Sequence, residues 1–406
     1  MKSNYKKLGP YINLVSERNK ELQEVPLMGL SISKKFIPSI ANLIGTDMST
    51  YRTINRNQFA YSPVTSRNGD KITIALFQDF DKGLISQAYT PFEVTDTNEL
   101  LPEYLMMWFR RTEFDRYARF MSHGSARELF SWEDFCEMEL PIPHISKQIE
   151  IVKEYKVIQN RIAHNQQLIQ KLEETAQAIY KQWFVDFEFP DEEGKPYKSS
   201  GGEMVESELG EIPRGWRVVS IKDFGLVITG KTPSSDNPED FGNQMPFVTP
   251  GDFKNYGKFV LSAERKLSED GFTKLKNKIL KPNSVIVTCI GSDMGKVVIT
   301  KEECITNQQM NSIEVNQEYY SDYLFYYLKS IYKELKSIAM GGSTMPMLSK
   351  SQFEIISLVK PNDLILQDFF KVMKPLNGMN YTNSKISKSA IEMKNLLLSK
   401  LATIEN

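Results

Sequence analysis

The chain has 406 residues, which is too long for one ordinary domain and long enough for two, each with its own core. Hydrophobic residues make up 41% and charged residues 25% of the chain, a composition typical of folded soluble proteins that excludes wholesale disorder. No apolar run approaches the roughly 20 residues needed to cross a bilayer, and the N-terminus lacks the apolar core of a signal peptide. Cys136, Cys289 and Cys304 fit no metal spacing, so we expect free thiols in a reducing cytoplasm.

Charge is unevenly distributed along the chain, whose net charge is −1. Residues 186–211 contain nine acidic residues and two lysines, a local charge of −7. Residues 254–301 contain ten basic and four acidic residues, a local charge of +6. Such a basic cluster is compatible with nucleic-acid binding, but a run of charge is more often a solvated face. The cluster alone therefore leaves both interpretations open.

Residues 1–143 are predicted to form a first domain of mixed α and β structure. The run KITIALF at 71–77 predicts a strand, and the run at 104–121 predicts helix. A long helix is then predicted over 144–187, because its apolar residues recur at alternating spacings of four and three. Such a pattern is typical of a seam along which two helices pair. The seam consists of Ile151, Tyr155, Ile158, Ile162, Asn165, Ile169, Leu172, Ala176, Ile179 and Trp183.

The segment 188–215 is rich in Gly, Ser, Pro and acidic residues and is predicted to be a linker. A second mixed domain is predicted over 216–360. Its expected strands lie at 216–221, 284–290 and 296–300, and its late helix lies at 323–340.

A second long helix is predicted over 361–406. Pro375 and Gly378 lie inside it, so we expect a kink or a break near 374–380. Its seam consists of Ile365, Phe369, Val372, Leu376, Met379, Asn383, Ile386, Ala390, Met393, Leu397, Lys400 and Ile404.

The chain repeats itself at an offset of 218 residues. Upstream the offset drifts to about 221, where QAYTPFEV at 87–94 resembles QMNSIEV at 309–315. Asn165 and Asn383 interrupt the two seams at the same offset, and facing asparagines would fix the register of paired helices. Two solvent-facing asparagines remain the alternative. The matched pairs include Gly124 and Gly342, Ser125 and Ser343, Phe135 and Phe353, and Leu140 and Leu358.

One motif resembles a nucleotide site. Residues 225–232, GLVITGKT, fit the phosphate-loop pattern, in which small residues let backbone N–H groups surround a phosphate. However, Leu226, Val227 and Ile228 prefer a strand, and a proline-containing run follows where a helix should begin. We therefore expect a strand that ends in a GKTPS turn, and an ATP site is the minor alternative.

Other catalytic signatures are absent from the sequence. His123, His144 and His164 have no Cys, Asp or Glu partner at metal-ligand spacing. No Gly-rich turn follows a strand to hold a nucleotide cofactor, and the Asp/Asn-Pro-Pro-aromatic tetrapeptide of adenine methyltransferases does not occur. The sequence therefore predicts a binding protein that is not an enzyme and that holds no metal or cofactor itself.

The duplicated plan resembles the specificity subunit of type I restriction–modification systems. The resemblance is carried by IYKQWFVDFEFP (179–190), by SGGEMVESELGEIPRGW (200–216) and by the Gly-Ser loops at 123–135 and 341–353. It implies an α+β fold in which two target-recognition domains, each reading half of a split and asymmetric DNA site, are joined by two long antiparallel coiled-coil helices. It also implies docking of two methyltransferase subunits and, through them, of endonuclease–translocase subunits. S-adenosylmethionine, ATP and Mg would be bound by those partners.

Base-edge recognition needs Arg, Lys, Asn, Gln and Ser/Thr side chains on loops, with further basic residues on phosphates. For any single such residue, a solvated surface position is the simpler interpretation; as clusters, 52–58, 66–68 and 254–258 are favoured. Candidates in the first domain are Lys34, Lys35, Arg52, Asn55, Arg56, Asn57, Gln58, Arg67, Asn68 and Arg127. Candidates in the second domain are Lys231, Thr232, Lys254, Asn255, Tyr256, Lys258, Ser292 and Lys296, together with Gln308 and Gln309.

Two other classes of protein compete with this interpretation. A phosphate-loop NTPase would bind ATP by itself and lose that binding on Lys231→Ala. A coiled-coil scaffold would show no sequence-selective retention of duplex DNA, even with its partner subunits.

Overall fold

The computed structural model describes residues 5–40, 45–66, 69–123, 128–291, 294–340 and 347–404. The chain divides into two compact units. Unit 1 comprises Met1–Ala163 and Ser389–Asn406, and unit 2 comprises His164–Lys388. Each unit contains one mixed α and β domain and a part of each of two long helices, which confirms the predicted α+β fold class.

Unit 1 is built on two sheets and a layer of helices. Its strands are β1 (Tyr5–Lys7), β2 (Ile12–Leu14), β3 (Leu27–Leu30), β4 (Phe36–Pro38), β5 (Arg52–Asn55), β6 (Phe59–Tyr61), β7 (Ile74–Leu76), β8 (Lys82–Ile85), β9 (Thr90–Val94) and β10 (Glu139–Pro141). Its helices are α1 (Pro102–Phe109), α2 (Thr112–Met121) and α3 (Trp132–Glu137), and α4 (Ile145–Phe184) begins in this unit. The sheets have the orders β2-β9-β6-β7 and β4-β3-β8-β5, and β1 pairs with β10.

Unit 2 repeats this plan. Its strands are β11 (Met204–Ser207), β12 (Gly210–Pro213), β13 (Arg217–Ser220), β14 (Gly225–Thr229), β15 (Phe241–Gly242), β16 (Met245–Val248), β17 (Arg265–Leu267), β18 (Val285–Thr288), β19 (Val297–Ile299), β20 (Ile305–Thr306), β21 (Met310–Val315) and β22 (Ser357–Lys360). Its helices are α5 (Glu269–Lys274), α6 (Tyr320–Ser330), α7 (Tyr332–Met340) and α8 (Lys350–Glu354), and α9 (Asp363–Lys400) begins here. The sheets have the orders β14-β21-β18-β19 and β15-β17-β16-β20, while β11 pairs with β12 and β13 with β22.

The central strands show how alternation of side chains builds each core. In β6, Phe59 and Tyr61 pack with the helices, whereas Ala60 faces the second sheet. In β18, Val285 and Val287 pack with the helices, whereas Ile286 joins the cluster on the other face. Successive side chains of a strand point to opposite faces, so an uninterrupted apolar run is needed where both faces are covered.

The internal repeat is confirmed element by element. Phe59 of β6 pairs with Phe92 of β9, and Val285 of β18 pairs with Ile313 of β21. Phe92 and Ile313 are 221 positions apart. Ser131 and Ser349, 218 positions apart, each accept a backbone N–H in the first turn of the helix that follows. The second sheets differ, because β5 lies beside β8 in unit 1 whereas β15 lies beside β17 in unit 2.

The two long helices run antiparallel. In unit 2, Phe184 at the end of α4 packs on Phe369 near the start of α9, with ring centroids 4.8 Å apart. In unit 1, Ile151 and Tyr155 near the start of α4 share a core with Leu398 near the end of α9. The start of each long helix therefore packs against the end of the other.

The seam predicted for α4 agrees with its buried face, since every residue of that seam is buried or half-buried. The seam predicted for α9 is wrong at Val372, Met379 and Met393, which are 39%, 49% and 58% exposed, and at Lys400, which is also exposed. The helix instead buries three polar residues that each follow a predicted seam residue by one position: Asn377, Asn380 and Ser387. The apolar pattern misses them because polar residues occupy part of the buried face, where tertiary partners satisfy some of their hydrogen bonds.

The two seam asparagines do not hydrogen-bond to each other in the described structure. Asn383 Nδ2 donates to the carbonyl of Met379 one turn earlier, at 2.8 Å. Asn165 is buried, so the solvent-facing alternative is wrong for it, and its Nδ2 has no hydrogen-bond partner among the described residues. A predicted register-fixing pair is therefore not formed.

Helix α9 is continuous from Asp363 to Lys400 with Pro375 inside it, so the predicted break is wrong. A bend of its axis near 374–380 stays a prediction. The segment predicted as a linker is folded, because β11 and β12 form a hairpin within it. Phe189 is buried there and stacks on Tyr197 and Trp216, with ring centroids 4.6 and 5.0 Å apart.

Candidate nucleic-acid interface

One end of the sheet β14-β21-β18-β19 gathers several of the polar residues predicted to contact DNA. Strand pairing places Thr229, Thr288 and Met310 at this end. The chain there consists of residues 230–232, 289–291, 294–296 and 307–309, which we call the loop edge of unit 2. It brings together Lys231, Thr232, Lys296, Gln308 and Gln309, of which Lys231, Lys296 and Gln308 are exposed.

The turn that contains Lys231 is fixed by close backbone approach. A Cβ on Gly230 would lie 2.2 Å from the carbonyl oxygens of Thr306 and Asn307, so only glycine fits there. The Lys231 backbone N–H donates to the Thr306 carbonyl at 2.9 Å, and the Thr232 hydroxyl bonds to Oε1 of Gln308. The turn is thereby held against the loop at 307–309.

This geometry is not that of a phosphate loop. Residues Gly225–Thr229 of the motif form strand β14, as expected, and the next helical element is the single short turn Pro238–Asp240. A Cβ on Gly225 would lie 2.2 Å from the Glu314 carbonyl oxygen, so this glycine also serves backbone packing. The glycines of the motif are therefore explained without a nucleotide.

Unit 1 has an equivalent loop edge at the same end of the sheet β2-β9-β6-β7. Strand pairing brings together residues 15–18, 62–66, 69–73 and 86–89. Val64 there forms a bridge with Leu129, just as Ile290 forms one with Met347 in unit 2. The exposed polar residues of this edge include Ser16, Arg18, Ser66, Lys71 and Gln87.

In the favoured cluster 52–58, the turn at 56–58 lies at the opposite end of the same sheet, whereas Arg52 of β5 forms a bridge with Arg18 of the loop edge. Asn57 of that turn has a left-handed backbone, with φ 68°, and its N–H donates to the Phe77 carbonyl. Asn283 in unit 2 has φ 69° and donates likewise to Thr300. Because Asn tolerates this conformation, the turn explains these residues structurally.

Other members of that cluster are engaged within unit 1. Gln58 is buried, and its amide donates to Glu93 at 2.8 Å, which corrects its prediction as a DNA contact. Arg56 is exposed and pairs with Asp81 at 2.9 Å. Arg52 and Asn55 of β5 are half-buried, so Arg56 and Asn57 are the exposed side chains of the turn.

Lys34 is a structural residue, contrary to its prediction as a DNA contact, whereas Lys35 beside it is exposed. The Nζ of Lys34 lies 2.8 Å from Asp115 Oδ1, and both side chains are largely buried. Nζ also donates to the carbonyl of Phe109. Burial lowers the pKa of Lys34, and its pairing with Asp115 opposes that shift. The connection between β3 and β4 is thus tied to the helices.

Lys258 has the same role in unit 2 and is likewise unable to reach DNA. Its side chain is 1% exposed, and its Nζ lies 2.6 Å from Asp322 Oδ1. Nearby, Lys254 and Asn255 are exposed, and Lys254 pairs with Glu264 at 3.1 Å. The half-buried Tyr256 donates its hydroxyl to the Ser262 carbonyl.

Ion pairs with acidic residues of the same unit, two of them at the surface, involve part of the basic cluster 254–301. Besides Lys258, Lys274 pairs with Asp240 and Lys281 pairs with Glu314, at 2.6 and 2.7 Å. The local excess of positive charge is therefore not by itself a DNA-binding surface.

Four predicted contacts lie outside the described residues: Arg67, Asn68, Arg127 and Ser292. Conversely, Arg18, Lys71 and Gln87 lie at the loop edge of unit 1 but outside the clusters predicted from the sequence. The repeat offers a signal for Gln87, since an offset of 221 places it on Gln308.

Cys289 and Cys304 are buried free thiols of unit 2. Burial raises the pKa of Cys289 and Cys304 to about 12, so both stay protonated at neutral pH. Within the described ranges, no group of His, Cys, Asp or Glu residues is arranged to hold a metal ion. No helix in the described part of the chain is long and apolar enough to span a bilayer.

Comparisons with known proteins agree with this duplicated architecture. Residues 213–392 match the family model of the type I restriction modification DNA specificity domain. The chain is 27% identical to the type I restriction enzyme HindI specificity subunit of Haemophilus influenzae, over 91% of each chain. It is 33% identical to the MjaIX specificity subunit of Methanocaldococcus jannaschii, over 47% of this chain and 45% of that protein.

The fold is also that of a solved relative. The crystal structure of a type I restriction–modification S subunit from M. genitalium superposes with a TM-score of 0.63, at 13% identity, and covers 99% of this chain and 96% of that one. The two repeated mixed domains and the antiparallel helices thus have the fold of that structure. Residues 213–392 thus resemble the type I restriction modification DNA specificity domain, and the whole chain is similar to a type I specificity subunit, in agreement with the resemblance seen in the sequence.

Proposed function

We propose that this chain is the sequence-specific DNA-binding subunit of a type I restriction–modification enzyme, and that each unit reads one half of a bipartite target. The supporting observation is the pair of equivalent loop edges. They occupy the same end of the same sheet in both units but carry different side chains. Equivalent loops that carry different residues are suited to the recognition of two different half-sites.

The partners that we propose are double-stranded DNA, two methyltransferase subunits that dock on the long helices, and endonuclease–translocase subunits that join through them. The chain itself would act in the cytoplasm and catalyse no reaction. S-adenosylmethionine, ATP and Mg would be bound by the partners. The family match and the repeated helices support this assignment.

Mapping of methylated adenines tests the proposal. The chain is co-expressed with its cognate methyltransferase subunit in a host that lacks such systems, and the host genome is scanned for new N6-methyladenine. We expect one motif with two specified parts separated by an unspecified spacer, and no such motif when the chain is omitted. An uninterrupted motif, or methylation that does not depend on the chain, would contradict the proposal.

An NTPase function is not favoured, because β14 occupies the place of the phosphate loop. The same preparation tests it, since the purified chain is expected not to retain ATP in equilibrium dialysis. Retention that is lost on Lys231→Ala would restore the NTPase alternative.

A further inference from the structure

Each unit presents a glutamine at the same position of the same loop. This loop connects a strand of the second sheet, β8 or β20, to the central strand β9 or β21 of the first sheet. β8 pairs in parallel with β3 as β20 does with β16, with Leu84 and Ile305 at equivalent positions. The offset is 221 at both ends of the loop, so the loops have equal length and Gln87 corresponds to Gln308.

The two loops also have the same internal hydrogen bond. In unit 1 the Ser86 hydroxyl accepts the N–H of Ala88, and in unit 2 the Asn307 side-chain oxygen accepts the N–H of Gln309, at 3.3 and 3.1 Å. Such side-chain turns fix the backbone around the residue between them. That residue is the glutamine, which is exposed in both units.

The neighbouring turn orients the glutamine of unit 2. The Thr232 hydroxyl bonds to Oε1 of Gln308, and Gly230 allows this turn to approach the loop closely. An amide oxygen has two acceptor positions, so Oε1 can accept a second hydrogen bond while Nε2 donates. Within the described part of the chain, Nε2 is not engaged in a hydrogen bond.

We infer that Gln87 and Gln308 are specificity-determining residues that each read an A·T pair, one in each half of the DNA target. An extended, exposed carboxamide on a fixed turn can accept from adenine N6 and donate to N7, and this pairing distinguishes adenine from the other bases in the major groove. This inference rests on the proposed function. It assigns the same base preference to one position in each half-site, although the other residues of the two edges differ.

Methylome mapping of four variants, each co-expressed with the methyltransferase subunit, tests the inference. Gln308→Ala is expected to relax one position of one half-site, with a roughly 5- to 150-fold loss of discrimination for A·T there. Gln87→Ala is expected to relax one position of the other half-site. Gln308→Glu retains the side-chain size and is expected to shift the preference toward C·G, because a carboxylate accepts from cytosine N4.

Lys281→Ala is the matched control, since Lys281 lies at the opposite end of the same sheet. We expect its motif to equal that of the wild-type chain. The inference is overturned if Gln308→Ala and Gln87→Ala both retain every specified position, or if they reduce methylation uniformly at all sites without altering the motif. A uniform reduction would instead indicate phosphate contact.

The two levels of failure are distinguishable. If the wild-type complex yields no bipartite motif, the proposed function fails. If the motif is bipartite but Gln308→Ala and Gln308→Glu both leave it unchanged in soluble protein, only the assignment of the glutamines fails.

Discussion

Lys258 belongs to a buried polar network that connects several elements of unit 2. Its Nζ donates to Asp322 at 2.6 Å and to the Tyr326 hydroxyl at 3.1 Å. Asn377 of α9 donates to both carboxylate oxygens of Asp322, each at 2.9 Å. The Tyr326 hydroxyl donates to Glu173 of α4 at 3.2 Å. The network therefore anchors the domain to both long helices within unit 2.

Removing one charge of this network is expected to destabilise the chain strongly. Lys258→Met leaves the Asp322 carboxylate buried without its cation, which typically costs about 3–5 kcal/mol in the free energy of unfolding. The measurement is urea-induced unfolding of the full chain, followed by tryptophan fluorescence. Lys254→Met is the control, because its pair with Glu264 is exposed and contributes about 0–1 kcal/mol. A loss below about 1 kcal/mol in Lys258→Met would contradict the structural role.

At the scale of elements, two glycines illustrate opposite uses of a missing side chain. Gly230 ends β14 against the carbonyls of Thr306 and Asn307, whereas Gly378 lies inside α9 with open space at its Cβ position. The first glycine is required by packing. The second only weakens a continuous helix, because glycine loses more backbone entropy on folding than alanine does.

Alanine at these two positions is expected to change stability in opposite directions. Gly378→Ala should raise the free energy of unfolding by about 0.5–1 kcal/mol. Gly230→Ala should lower it by about 1–3 kcal/mol, because the methyl group would force backbone shifts at the loop edge. Urea denaturation midpoints measure both, and Gly257→Ala in open space serves as the neutral reference. Equal effects of the two substitutions would show that the loop edge is not tightly packed.

At the scale of the whole molecule, the repeat divides the chain into two units that both contain parts of α4 and α9. The division falls between residues 163 and 164 in α4 and between 388 and 389 in α9. Residues inserted at these two points leave the internal contacts of each unit unchanged. The long helices can therefore be lengthened without altering either loop edge.

Lengthening both helices tests their proposed role as a spacer. Seven residues inserted after Ala163 and seven after Lys388 add two turns, about 10.5 Å, to each helix. At about 3.4 Å per base pair, we expect the unspecified spacer of the methylated motif to grow by about 3 base pairs while both half-sites persist. Circular dichroism confirms folding. An unchanged spacer in a folded, active variant would argue against the role.

Local patterns of this sequence predict its two long helices and several of its buried strands. The strands near 71–77, 284–290 and 296–300 are predicted because uninterrupted apolar runs indicate burial on both faces, whereas the strand near 216–221 is half-buried and is predicted from its β-branched residues. The α4 seam was predicted because its period matches that of a helix. The α9 seam is wrong at some of its positions, because Asn377 and Asn380 are buried and an apolar pattern carries no signal for a buried polar residue.

The sequence by itself determined the duplication and the two long helices, since these depend on periodicity and on residues compared at a fixed offset. Only the tertiary structure decided which polar residues are available to DNA. In the sequence, Lys34 and Lys258 resemble surface cations. In the folded chain they pair with Asp115 and Asp322, which are distant in the sequence. Likewise, strand pairing places Thr232 beside Gln308. Burial and proximity are long-range properties, so no local pattern of residues records them.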